Sequence, residues 1–125
     1  MRAKKAKSKI ASYSALPYPS RRNSWSQRVR STPQWAAWRK SVFSRDGYRC
    51  IIPSCQATRS LEPHHILRKI DHPELIHDLD NGVTLCHRCH LKVTGQEAIY
   101  VGVFRKYIIK RKAQIEALND MTGLI

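Results

Sequence analysis

The chain has 125 residues, with 23 Lys and Arg against nine Asp and Glu, a formal charge of +14. That excess points to a polyanionic partner, most simply nucleic acid. No basic stretch of the tail has a clean apolar face and no run of ~18 apolar residues occurs, so neither membrane docking nor a membrane span is expected.

The charge is uneven. Residues 1–31 hold nine basic residues and no acid, and residues 32–125 carry a net charge of only +5. With Pro17, Pro19 and several serines, residues 1–31 read as a basic flexible N-terminal arm. Two uses remain open, a solubilising tail or an arm that touches DNA phosphates through residues such as Arg21, Arg22, Arg28 and Arg30. The arm has no apolar core of the secretory kind, so a cytoplasmic location is expected.

The first helix is predicted from Thr32-Pro33, a capping residue followed by a proline suited to the first turn. Trp35, Trp38, Val42 and Phe43 recur at helical spacing and form a core stripe. Asp46-Gly47 ends the helix, with Gly47 able to adopt the left-handed cap. A turn from Cys50 to Cys55 follows. Residues 60–67 read as a short strand distorted by Pro63, residues 68–80 as a polar loop, and residues 82–85 as a second strand after Asp80-Asn81-Gly82. A short helix runs from Cys86 or His87 to about Thr94. A last basic helix covers about Gln96 to Leu118, with Ile99, Val103, Tyr107, Ile108, Ile115 and Leu118 as its apolar face.

Cys50-x4-Cys55 and Cys86-x2-Cys89 are two close pairs, each able to give two thiolates to one tetrahedral ion. In a reducing compartment they read as a closed structural Zn²⁺ site. Two disulfides or four free core thiols are the alternatives. In a domain this small, such an ion would brace a modest core.

Three stretches then stand in order: Val42-Phe43-Ser44-Arg45-Asp46-Gly47-Tyr48-Arg49-Cys50, Glu62-Pro63-His64-His65-Ile66, and Asp80-Asn81-Gly82-Val83-Thr84-Leu85-Cys86-His87-Arg88-Cys89-His90-Leu91-Lys92. Together they resemble the HNH nuclease family in its four-cysteine phage and restriction form, over Trp38 to Gly95. The resemblance implies an α+β fold: a small ββα-metal core braced by the cysteine site, with flanking N- and C-terminal helices. It implies three parts, an arm at 1–31, an HNH nuclease domain at 32–95, and a C-terminal basic helix at 96–125 packed on that domain.

It also implies roles. His65 is expected as general base, His64 and His90 as ligands of one catalytic divalent cation, and Asn81 as the residue that ties the ββ loop and orients His65. Many relatives have Asp where this chain has His64, which moves the preference toward Ni²⁺, Zn²⁺ or Mn²⁺, with Mg²⁺ still open as the catalytic ion. Thr94 stands where a further ligand often lies. Arg88 and Lys92 are candidate phosphate contacts, with an ordinary solvated helix face as the alternative. Glu62 is a candidate to position the motif through an ion pair. His72, His77 and His87 read as local packing or hydrogen-bonding residues. The implied activity is DNA cleavage, in one strand or both. A non-catalytic zinc-dependent DNA-binding module is the rival reading, and RNA a weaker alternative substrate. A homo-oligomer or a phage packaging partner stays open.

Overall fold

The computed structural model describes residues 24–123. Its elements are α1 (Trp25–Arg30), α2 (Pro33–Arg45), β1 (Leu61–His65), β2 (Gly82–Cys86), α3 (His87–Val93) and α4 (Glu97–Gly123), with short 3-10 turns at Pro73–Leu75 and Leu79–Asn81. The architecture is α+β, a ββα unit of β1, β2 and α3 flanked by helices, as the resemblance implied. Arg21, Arg22 and the rest of the arm up to residue 23 lie outside the described residues.

Residues 24–31 depart from the expectation of a flexible arm. Ser24 and Gln27 form a capping box that opens α1. Six residues are too few for a helix to persist alone in water. Packing supplies the difference: Val29 is fully buried beside Ile76, with Trp25 and Trp35 against them. Arg28, listed above as a phosphate contact, is itself buried and not presented to solvent.

Helix α2 starts and stops where its signals placed it. The Thr32 hydroxyl accepts from the Trp35 amide at 3.2 Å, and Gly47 takes a φ of 71° just past the end. Trp38, Val42 and Phe43 face the core. The two strands pair antiparallel, with Leu61 opposite Cys86 and His65 opposite Gly82. Gly82 is required by space. A Cβ there would stand 2.6 Å from Trp38 Cζ2 and 2.8 Å from Val42 Cγ2, so α2 lies on the hairpin closer than any side chain permits.

The last helix is longer than expected and turned. Phe104 and Ile108 are its buried residues, with Tyr100, Val101 and Tyr107 packed nearby. Ile99, Val103 and Leu118, expected in the apolar face, are exposed. The buried face follows the i, i+4, i+8 row Tyr100–Phe104–Ile108, and omitting Phe104 had rotated the predicted stripe.

A buried polar network joins α2 to β2 and α4. Arg45 Nε donates to Asp46 Oδ1 at 2.8 Å and its guanidinium reaches the Leu79 and Gly82 carbonyls at 2.8 and 2.6 Å. The same Asp46 carboxylate accepts from the Thr84 amide at 2.9 Å and the Tyr107 hydroxyl at 2.7 Å. Every polar atom so engaged is satisfied, which is what permits a charge pair in this core.

Candidate active site

The cysteines come together first. Their four Sγ atoms lie within 4.8 Å of one another, and all four thiols are free of disulfides. Cys55 and Cys86 Sγ are 3.6 Å apart, close to the edge of about 3.8 Å that a tetrahedron with ~2.3 Å Zn–S bonds requires. Cys86 caps α3, and the Cys89 amide donates to its sulfur at 3.4 Å. That amide lowers the Cys86 thiol to about 7, whereas burial raises Cys50 and Cys89. Four crowded, desolvated thiols ionise together only around a cation, so the donor set fits a closed structural zinc.

The histidines occupy the other end of the hairpin. Successive residues of β1 point to opposite faces, and His64 and His65 do so. His65 stacks on Trp38 of α2, with ring centroids 4.1 Å apart and planes 9° from parallel. His64 turns toward α3 and α4, between His90 at 5.3 Å and Phe104 at 5.7 Å. Both still line one open cleft of about 460 Å³, together with His90 and Glu97, because the strand ends there.

Two of the imidazoles, His65 and His90, have one nitrogen assigned by a partner. His65 Nε2 lies 2.9 Å from the Ile76 carbonyl oxygen. A carbonyl only accepts, so Nε2 carries the proton and Nδ1 keeps its lone pair. His90 Nδ1 donates to Glu62 Oε1 at 2.6 Å, which leaves its Nε2 for a metal, the usual carboxylate–histidine arrangement behind a ligand. His64 Nε2 is buried and has no hydrogen-bond partner among the described residues. Burial lowers both His64 and His65 to about 4, so both rings are neutral at pH 7. Two ring nitrogens on facing elements, His64 Nε2 on β1 and His90 Nε2 on α3, fit a divalent ion.

Glu62 is shared. Its second oxygen accepts from His87 Nδ1 at 2.8 Å. Burial raises this carboxyl, but the bonds from His90 and His87 outweigh it and hold Glu62 below its ordinary value. His87 is thus a local hydrogen-bonding residue, as read. Asn81 is buried and clamps the loop after β1: its Oδ1 accepts from the Leu67 amide at 2.9 Å, and its Nδ2 donates to the Leu67 and Leu75 carbonyls at 3.1 and 3.3 Å. Thr94 donates its hydroxyl to the His90 carbonyl at 2.8 Å, so that oxygen closes the end of α3.

Different cations line the cysteine and histidine clefts. Arg88 and Lys92 are exposed on α3 and line a second cleft of about 760 Å³ beside the cysteines, joined there by Arg59. Arg30, Arg68 and Lys69 line the histidine cleft instead. Lys69 and Glu97 went unnoticed in the sequence. The run Arg68-Lys69 directly after the His64-His65 strand was the available signal for the first, and nothing in the pattern singled out the second.

A family model for HNH endonuclease matches residues 49–96. No curated protein and no solved structure matches the chain. The matched segment holds β1, β2, α3, all four cysteines and the three cleft histidines, and over these residues the chain is similar to HNH endonuclease.

Proposed function

We propose that the chain is a metal-dependent DNA endonuclease, with His65 as general base and His64 and His90 as ligands of one divalent ion. One observation carries the reading: three imidazoles line a single cleft, each with one nitrogen left for chemistry. His65 keeps Nδ1 because Ile76 holds Nε2. His90 keeps Nε2 because Glu62 holds Nδ1. His64 has an Nε2 without a partner among the described residues.

When bound, the ion supplies Lewis-acid stabilisation of charge on the scissile phosphate and the leaving 3′ oxygen. The chain does the rest. His65 takes a proton from the attacking water at Nδ1. The Ile76 carbonyl holds the reactive tautomer and stabilises the imidazolium that forms. The Trp38 face fixes the ring plane, and Asn81 keeps the loop beneath it in place. Arg88, Lys92 and Arg59 are suited to flanking phosphates, which makes the affinity strongly dependent on salt. The working unit on this reading runs from α1 through α4, with the basic residues before α1 as an arm along the DNA.

The test is a supercoiled plasmid offered to zinc-loaded protein with Mg²⁺, Mn²⁺ or Ni²⁺. Nicked or linear product that disappears with EDTA is the expected result. Intact plasmid under all three ions would remove the nuclease reading and leave a zinc-braced DNA-binding module.

Glu62 gives a second measurement. Gln in its place keeps the size but loses the charge that holds His90. Metal affinity of the histidine site is expected to fall about 10–100-fold, read by calorimetric titration of Ni²⁺ into zinc-loaded Glu62→Gln protein. An unchanged affinity would show that Glu62 does not prepare the ligand.

A further inference from the structure

The wall of the histidine cleft is not built from the matched segment alone. Trp25 and Arg30 of α1 and Trp35 of α2 line it from one side, Arg68 and Lys69 from the loop after β1. Helix α1 is held there by Val29 against Ile76. The cleft therefore receives a cation from a helix outside residues 49–96.

The charge balance in this wall is lopsided. Arg68 has an acidic neighbour in Asp71, at 3.6 Å. Among the described residues Arg30 reaches only a neutral group, the Ser26 hydroxyl at 3.0 Å. Lys69 is half-buried, and among the described residues its ammonium has no ion-pair or hydrogen-bond partner. Burial lowers Lys69 from its ordinary value, and the charge of Arg30 lowers it further. The Lys69 charge also acts on His65, which puts it beside the proposed base. Glu97, the one acid lining the cleft among the described residues, already accepts from the Gly95 amide at 3.1 Å. Among the described residues the Trp25 and Trp35 indole N–H groups have no acceptor either. Two like charges held near each other in a partly desolvated wall repel one another, and an anion between them reverses the sign of that interaction.

We propose that Arg30 and Lys69 form a two-cation clamp for a DNA backbone phosphate beside His65, making α1 part of the substrate site. The clamp rests on the reading of DNA as the ligand of this cleft. It would fix the register of the strand against the base without reading sequence. Lys69 is suited to the part because a half-buried ammonium meets the phosphate with little water between them.

The experiment measures binding apart from cutting. A short fluorescent duplex is titrated with His65→Ala protein, without added divalent ion, across a range of KCl. Adding Lys69→Ala or Arg30→Ala is expected to weaken binding and to lower the slope of log affinity against log salt by about one. Lys69→Arg should keep the slope. Arg30 is exposed and Lys69 unpartnered, so both variants should melt with the parent. Parental affinity and slope in Lys69→Ala and Arg30→Ala would overturn the clamp. If the slope falls while the unsubstituted protein cuts no plasmid, the clamp stands and the nuclease reading fails. If plasmid is cut and the slope is unmoved, the reverse holds.

Discussion

His65→Ala is expected to lower plasmid cleavage by about 10²–10⁴-fold, the usual contribution of a positioned general base, while DNA affinity stays near the parental value. The substitution removes the free Nδ1 and nothing that carries positive charge, because burial keeps this ring neutral at pH 7. It also removes the stack on Trp38 and leaves the Ile76 carbonyl without its donor, at a cost of about 1–3 kcal/mol. A control for folding is therefore needed. Zinc content and the thermal transition should show the variant folded at the assay temperature. His65→Gln is a useful companion, since an amide can still donate to Ile76 but is no base. Cleavage by either folded variant at the parental rate would assign the base elsewhere. Calorimetric titration of Ni²⁺ separates His65 from His64: His64→Ala should lose Ni²⁺ affinity, and His65→Ala should keep it.

Loss of the cysteine-bound ion should have the larger effect on the fold. Cys86→Ser, or exhaustive chelation of the parent, is expected to abolish cooperative unfolding altogether. Structural zinc contributes about 10–16 kcal/mol in small zinc domains, as much as the whole net stability of a typical domain, about 5–15 kcal/mol. The geometry explains why little would remain. Cys50, Cys86 and Cys89 are themselves core residues packed with Ile51, Leu85 and Val93, so the ion and the core are one structure. Near-ultraviolet circular dichroism is the direct measurement, because Trp25, Trp35 and Trp38 all sit in the packed helix pair or cleft wall. An unchanged thermal transition in zinc-free Cys86→Ser protein would mean that the cysteines are ordinary core thiols.

Much of this was legible in the residues, and the reasons differ by element. Helix α2 carried its own boundaries in Thr32, Pro33 and Gly47, all local chemistry. The cysteine spacing announced a cluster because two close pairs have few other uses. The neighbouring roles of His64 and His65 rest on period-2 alternation, and the strand delivers it. What escaped depended on distant partners. Helix α1 has no propensity signal strong enough to stand alone and exists because Ile76 receives Val29. Arg28 looked like a surface cation for the same reason. The face of α4 was misread because exposed Ile99 and Val103 mimic a stripe, and only contact with the hairpin selects Phe104. The tautomers of His65 and His90 were beyond reach, since each is assigned by a group 11 or 28 residues away.

The Asp46 network has a consequence for the order in which the protein becomes competent. Tyr107 reaches Asp46 across 61 positions, and Phe104 closes the wall behind His64. A chain emerging from the ribosome has all its cysteines and cleft histidines by residue 90, but neither of those two contacts. Domains consolidate as their last packing element arrives. The cleft thus reaches its final shape only once α4 has been synthesised past Tyr107.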